Sequence, residues 1–437
     1  MSENNNIAQK NLHDAYLNLA PEVQKILVIC SWLAPEKILP LDFLGKFMEG
    51  TPSIEVPQLE KLSNEDLLVN EENGYAIRPE IIDLVHKNTD KQLLSDVLSE
   101  TTKLMLSTIQ NLDDSEIYQS YFVHVEALAQ NAQRFKKGVA GLLLVELGRY
   151  LFKIGDYKTS VKYFKKGLIT IKRVLGNDSP EYTANLNNLG SSLQRLGSFE
   201  EAKKCFDEAI IIDQKVFGQN DPVVATGHNN LAQVLLDMNS IEGALIHFEK
   251  ALEINREKLG DGHPHVASGF YNMGIALISI GDYPRARAQL ELALMKRKNI
   301  YGEVHPDVAE AHHGLGMILQ TIGNIPGAID HYQQAVNIWE EVGMGDQLKT
   351  AASYTNLGGV LHVNKDWDAA KENYEKAIAI FRKFYSKDEK NIQGLQFQIQ
   401  LLTYKTSLPE LMEKIESGEK ISPELVEILD KMYKDKK

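Results

Sequence analysis

Asparagine returns at one register of this chain. Asn188, Asn230 and Asn272 stand 42 residues apart, Asn356 holds the same register two intervals further on, and Asn187 and Asn229 precede the first two. A carboxamide both donates and accepts hydrogen bonds, so a row of them suits the main chain of an extended peptide and asks little of its side chains. Three positions after that register come Arg149, Ser191, Gln233, Ile275, Met317 and Gly359, and four positions later again Lys153, Arg195, Asp237, Ser279, Thr321 and Val363. The chemistry on offer is hydrogen bonding and ion pairing. Bond-making is not: no serine, cysteine or carboxylate pair stands in a motif that would activate it, and G-x-x-x-x-G-K-[ST] occurs nowhere. His263, His265, His305, His312 and His313 lack a cysteine or carboxylate at metal-binding spacing. We therefore expect no catalytic residue, no metal, no cofactor, no small-molecule substrate and no enzyme.

The elements that carry these positions are written six times. Gly155, Gly197, Asn239, Gly281, Gly323 and Lys365 mark the interval. Four positions before each mark stands leucine, from Leu151 to Leu361; seven before stand Gly148, Gly190, Ala232, Gly274, Gly316 and Gly358. Spacings of three, four and seven place them on one stripe of a helix. Glycine inside a helix costs about 1 kcal/mol against alanine, so its recurrence implies a neighbouring backbone packed close. A second helix follows each mark, with Ser160, Ala202, Ala244, Ala286, Ala328 and Ala370 five positions on and Phe164, Phe206, Phe248, Leu290, Tyr332 and Tyr374 nine on. Gly176, Gly218, Gly260 and Gly302 sit where the second helix would end in a left-handed residue. Ser179-Pro180, Asp221-Pro222, His263-Pro264 and His305-Pro306 then supply a cap and a proline at the next helix start. Each unit is two helices of roughly 17 residues, and a stack of such units is a superhelix with a long concave wall, a surface that usually holds another protein or peptide.

This pattern resembles the tetratricopeptide repeat, in the 42-residue form of kinesin light chains and many bacterial proteins. NNLGSSLQRLGSFEEAKKCFDEAI at 187–210 and YNMGIALISIGDYPRARAQLELAL at 271–294 carry the likeness, which covers residues 139 to about 385. Departures fall at the ends: Ser160 and Gly167 replace the usual alanines, and the fifth junction, VGMGDQLK, loses the glycine-to-proline signal, so an altered packing angle is expected there. The resemblance implies that first helices line the concave side. It thereby puts Asn187, Asn188, Asn229, Asn230, Asn272, Asn356, Arg149, Lys153, Arg195 and Gln233 in a peptide-binding groove. The asparagines have a second reading, in which they bond to the preceding hairpin and fix superhelical pitch. The wall begins basic at Arg149, Lys153 and Arg195 and turns apolar toward Ile275, Ile278 and Met317, which suits an extended segment with an acidic part and an apolar part. The paired lysines and asparagines with which some members clamp a C-terminal carboxylate are missing.

Charge separates the segments. The chain of 437 residues carries a net −13, of which residues 1–138 hold −9, with 12 basic against 21 acidic groups. An acidic chain without a basic patch is a poor nucleic-acid binder. Its two cysteines fit a reducing compartment, and neither a signal pattern nor a membrane-length apolar run is present, so a cytoplasmic protein is expected.

Before the repeats, PEVQKILVICSWLAPEKI reads as a buried helix to Trp32 followed by an extended piece at Ile38 and Leu39; LDFLGKFME and Leu59–Leu62 read as short helices, and LLVNEENGYAIRP as a hairpin about Asn73-Gly74. The order resembles the winged-helix segment of signal-transduction ATPases that carry tetratricopeptide arrays, on Leu33-Ala34-Pro35-Glu36, the hairpin and the helix of Leu84, Val85 and His86. YFVHVEALAQNA at 121–132 resembles the bridge between wing and repeats. The segment Gln58 to Asp66 that would read DNA carries Glu60, Glu65 and Asp66 against Lys61 alone, which favours a packing or partner module. After residue 390, NIQGLQFQIQLLTY, LPELMEKI and SPELVEILDKMY read as capping helices, with Ser422 a cap and Pro409 and Pro423 near helix starts.

The sequence thus describes an all-α, right-handed tetratricopeptide superhelix of six hairpins at 139–385, with a winged-helix-like domain at 1–90, a helical bridge at 91–138 and capping helices at 386–437. The expected function is a non-enzymatic adaptor that binds a protein or peptide, without nucleic acid or membrane. Two alternatives stand beside it: a sensor subunit acting on a separately encoded NTPase, and a peptide-responsive transcription regulator.

Overall fold

A computed structural model describes residues 11–40, 56–71, 74–110, 115–134, 139–385, 390 and 392–403. All six marks have positive φ, from +60° at Asn239 to +85° at Gly155. The left-handed residue ends one helix and lets the chain turn back. In five of the hairpins the amide just after the mark bonds the carbonyl of the leucine four positions before it, for example Asp156 N to Leu151 O at 2.9 Å and Asn324 N to Leu319 O at 2.8 Å. That turn chemistry makes both the mark and the leucine recur.

Six hairpins result. They are α6 (Val139–Lys153) with α7 (Tyr157–Leu175), α8 (Pro180–Arg195) with α9 (Phe199–Phe217), α10 (Pro222–Asp237) with α11 (Ile241–Leu259), α12 (Pro264–Ser279) with α13 (Tyr283–Tyr301), α14 (Pro306–Thr321) with α15 (Ile325–Glu341), and α16 (Leu348–Val363) with α17 (Trp367–Phe384). The chain divides into two compact units, 1–238 and 239–437, with α10 the last repeat helix of the first and α11 the first of the second; each is built of consecutive helices packed on one another.

The recurrent glycine faces a bulky side chain, an aromatic ring in four copies and Leu290 in one, which corrects the expectation of a neighbouring backbone. A Cβ on Gly190 would stand 2.7 Å from the Phe206 ring, and one on Gly358 would stand 2.7 Å from the Tyr374 ring with the Ala370 carbonyl second at 3.1 Å. Gly148 and Phe164, Gly274 and Leu290, and Gly316 and Tyr332 repeat the pairing. In these five hairpins the bulky residue nine positions after the mark therefore packs against the first helix of its own hairpin, buried at 0–4% exposure.

The junction glycines are also more demanding than a left-handed cap. Gly176 has φ +90° and ψ 170°, a mirror-extended region that only glycine enters freely, and Gly218, Gly260 and Gly302 share it. Ser179, Asp221, His263 and His305 then cap the following helices, the histidines through Nδ1, each accepting a backbone N–H at 3.1 Å. The fifth junction is rebuilt: α15 has 17 residues against 19 in the four preceding second helices, Gly343 takes φ +75°, Met344 N bonds Trp339 O at 2.8 Å, and Gln347 gives α16 no side-chain cap.

The two irregular residues of the first hairpin each have a partner. Ser160 and Ser192 bring their buried hydroxyls to 2.8 Å, and Gly167 leaves room for the Asn185 amide, which donates to Phe164 O at 3.0 Å.

Ahead of the hairpins lie a helical turn region at 11–17, α1 (Pro21–Ser31), β1 (Leu39–Pro40), α2 (Val56–Asn64), β2 (Val69–Glu71), β3 (Gly74–Ala76), α3 (Pro79–Asn88), α4 (Lys91–Gln110) and α5 (Ser115–Arg134). The strands form an antiparallel sheet in the order β1-β3-β2. Leu67 and Leu68, read as strand, instead donate their amides back to Leu62 O at the end of α2. α5 grips the turn after α1: His124 Nδ1 accepts the Ala34 amide at 3.3 Å, His124 Nε2 meets Ile38 O at 2.9 Å, and Asn131 donates to Trp32 O at 3.0 Å. One core runs from Tyr16 through Leu98 and Tyr121 to Tyr163. At the other end residues 392–403 are helical, and Ile392, Leu395 and Leu402 join the core of α16 and α17. The expected helix LDFLGKFME, residue Asn73 of the hairpin turn, and the segments LPELMEKI and SPELVEILDKMY lie outside the described residues.

Candidate functional site

In the first unit, α6, α8 and α10 lie side by side and present the asparagine and basic registers. Arg149, Lys153, Arg195 and Gln233 are exposed; Asn187, Asn188, Asn229 and Asn230 are half-buried. Arg149 reaches Glu146 at 3.2 Å, one turn back on its own helix, and Glu146 also accepts from Gln110 at 3.1 Å. Arg195 has no acidic partner among the described residues. α8 and α10 are tied by Gln194 to Asp237 at 2.5 Å and by Asn230 to Asn187 at 3.3 Å.

The paired asparagines do different work. Asn187 donates to Thr183 O at 3.2 Å and accepts from Asn230, so both ends of its carboxamide bond within the array. Asn229 buries its Oδ1 without a hydrogen-bond partner. Asn188 has no side-chain partner among the described residues and borders a cleft of about 180 Å³ lined by Arg149, Phe152, Phe164, Asn188 and Ser191. An open carboxamide, a guanidinium and two aromatic rings thus meet around one space, which can take a main-chain group, an acidic side chain and an apolar one.

In the second unit Asn272 and Asn356 are half-buried, and the Tyr332 hydroxyl donates to Gln320 Oε1 at 2.9 Å. Ile275, Ile278 and Met317 are half-buried, their inner sides packed against the hairpin cores.

Sequence reasoning missed a charged group in the same unit. Arg297 is 3% exposed, stacks 4.3 Å from the Tyr271 ring centre, donates to Asp307 O at 2.7 Å and reaches Glu310 at 3.4 Å; Glu310 also pairs with Lys349 at 2.7 Å. The signal was present: sixteen positions after the marks stand Asp213, Asn255 and Arg297, where Ile171, Trp339 and Phe381 occupy the other copies.

Of the histidines, His263 and His305 serve as caps, as their junction slots suggest. His312 brings Nδ1 within 2.9 Å of His331 Nδ1, and His313 bonds Ser353 Oγ. Burial pushes His312 and His313 each down to about 4. No group of three or more histidine, cysteine, aspartate or glutamate residues is arranged to hold a metal among the described residues. No described helix is long and apolar enough to cross a membrane.

The sequence matches the tetratricopeptide-repeat family over residues 139–215, 182–257, 223–299, 265–338 and 307–383. No curated protein matches it. Among solved structures it is similar to BtubC (BKLC) from P. vanneervenii, at 22% identity, TM-score 0.44, covering 55% of this chain and 92% of that one. It is also similar to a Rap protein complexed with competence and sporulation factor, at 15% identity, TM-score 0.48, covering 74% and 90%. A third is a signal-transduction ATPase with numerous domains and a tetratricopeptide-repeat sensor, from Pyrococcus horikoshii, at 14% identity, TM-score 0.45, covering 91% and 66%.

Proposed function

The chain belongs to the tetratricopeptide-repeat family, whose members generally mediate protein–protein interaction, and on that premise we propose that it is a non-enzymatic adaptor. Its first-helix face takes an extended protein segment. The observation that carries the reading is the cleft between α6, α7 and α8, where Asn188 offers an unpartnered carboxamide beside Arg149, Phe152 and Phe164. A bound main chain supplies the donor and acceptor that Asn188 lacks, and the rings bury an apolar side chain. Exposed Arg149, Lys153 and Arg195 favour an acidic stretch on the first unit. On the first helices of the second unit, Ile275, Ile278 and Met317 favour an apolar stretch.

The test is affinity capture from the native cell with the full chain and with an Asn188→Ala variant of unchanged melting temperature. A protein lost only from the variant supports the reading. Binding of that protein is then measured against Arg149→Glu and Arg195→Glu; undiminished affinity removes the acidic-stretch assignment.

A further inference from the structure

Away from the first-helix face, α7 carries the most one-sided charge of any second helix. Lys158, Lys162, Lys165, Lys166, Lys172 and Arg173 lie on it, and it has no acidic residue. Its exposed stripe includes Lys166, Ile169 and Arg173, spaced three and four apart so that they share one side. Ile169 is 70% exposed, the most exposed of the large apolar side chains in the described residues.

Beside that stripe α5, α6 and α7 enclose a cleft of about 260 Å³. α5 contributes Glu126, Gln130 and Gln133, α6 contributes Leu144, and α7 contributes Lys166, Ile169, Thr170 and Arg173. The one carboxylate in the lining is engaged: Tyr163 donates its hydroxyl to Glu126 Oε1 at 2.8 Å, and the Lys166 ammonium stands 5.3 Å from the Tyr163 ring centre. Gln133 is held by Thr170 at 3.0 Å. Lys166 and Arg173 have no acidic partner among the described residues. Two open cations, an exposed isoleucine over buried Leu144 and the amide of Gln130 therefore border one space.

What fits is small and discrete. Next to α7, α9 exposes Glu200, Glu201 and Glu208, and Lys165 already reaches Glu201 at 3.5 Å. A membrane surface or a duplex, with negative charge spread along it, would meet those carboxylates at once. A short acidic segment confined to the cleft would not. We infer that this cleft is a second protein-docking site, for an acidic segment bearing one apolar side chain: its carboxylates pair with Lys166 and Arg173, and its apolar chain covers Ile169 against Leu144. The site shares no residue with the first-helix face and stands whether or not that face binds a partner.

The test titrates a fluorescein-labelled peptide, Glu-Glu-Leu-Glu-Glu, into the full chain at low salt and reads anisotropy. Saturable binding is expected to fall about tenfold or more in Lys166→Glu, Arg173→Glu, a loss of about 1.4 kcal/mol or more. It should fall severalfold in Ile169→Ser, which changes no charge. Arg149→Glu, Arg195→Glu should leave in place the part of the binding that depends on Lys166 and Arg173, and a peptide with glutamine for glutamate should not bind. The substituted side chains are exposed, so circular dichroism melting should be unaltered. Four results overturn the inference: no peptide binding by the wild type; equal binding by the Lys166, Arg173 variant; loss on the Arg149, Arg195 change instead; or tighter, Lys166- and Arg173-dependent binding of phosphatidylserine vesicles, duplex DNA or a second copy of the chain.

Discussion

Asn230 donates its carboxamide to Asn187 Oδ1 at 3.3 Å, across 43 residues of sequence, and so joins the first helices of two successive hairpins. With the bond from Asn187 to Thr183 O, this engages both ends of the Asn187 carboxamide, while Asn188, one residue on, borders the 180 Å³ cleft with its amide open. Asn187 thus takes the structural part of the register, and the ligand-facing part is proposed for Asn188. Asn187→Ala should lower stability by about 1 kcal/mol, the usual net worth of a hydrogen bond, and Asn188→Ala by under about 0.5 kcal/mol. Captured-partner affinity should respond in the opposite order. Urea unfolding of both variants checks the first half; if Asn188→Ala proves the more destabilising, the division of labour is wrong.

Neighbouring glycines of α16 should answer substitution with opposite signs. A Cβ at Gly358 would sit 2.7 Å from the Tyr374 ring, whereas one at Gly359 meets only the Tyr374 hydroxyl at 3.8 Å. Alanine gains about 1 kcal/mol over glycine inside a helix, and overpacking costs about 1–3 kcal/mol. Gly359→Ala should therefore raise the melting temperature and Gly358→Ala lower it. Calorimetry of the two variants decides; a shift of the same sign in both would remove the ring contact as the reason for the recurrent glycine.

The repeat region was legible because its local chemistry and its packing coincide. A leucine four before the mark, a positive φ at the mark and a ring nine after it serve one turn and one contact, so they reappear together. What stayed hidden was side-chain direction. Spacing alone cannot separate Asn187, turned to Asn230, from Asn188. The grip of His124 on Ala34 and Ile38 was equally out of reach, because it joins segments about 90 residues apart with no periodicity between them.

Acid should loosen the second unit before its carboxylates titrate. His312 and His313 are held by burial at about 4, against 6.5 for an unhindered imidazole, and His331 is lowered as well. His312 and His331 face each other, with Asp330 and Glu291 raising and Lys298 and Arg287 lowering the basicity of His331; His313 faces Glu310 and Lys349. Between about 6.5 and 4 the unfolded chain binds protons that the folded chain refuses, so stability falls as pH falls through that window. His312 and His313 each account for on the order of 3 kcal/mol at the acid end. Melting temperature should decline steeply from pH 6.5 to 4.5 in the wild type and less steeply in His313→Gln and in His312→Gln. Parallel slopes in all three would assign the acid sensitivity elsewhere.

Lys365 is the one mark that is neither glycine nor asparagine, yet its φ is +67°, and Asp366 N still closes on Leu361 O at 3.0 Å. The turn is imposed on it by that bond and by the Asp366 cap on Ala369 N at 3.4 Å. A residue with a Cβ pays about 1–2 kcal/mol for this backbone region, and glycine escapes that cost while losing somewhat more freedom on folding. The Lys365 side chain is exposed and makes no ion pair among the described residues, so little else changes with it. Lys365→Gly should therefore stabilise the sixth hairpin by about 0.5–1 kcal/mol, and Lys365→Val should destabilise it by about as much or more, because branching at Cβ aggravates the same contact. Amide hydrogen exchange in α16 and α17 reads the effect locally. Faster exchange in the glycine variant would mean that the turn is held by something other than the left-handed residue.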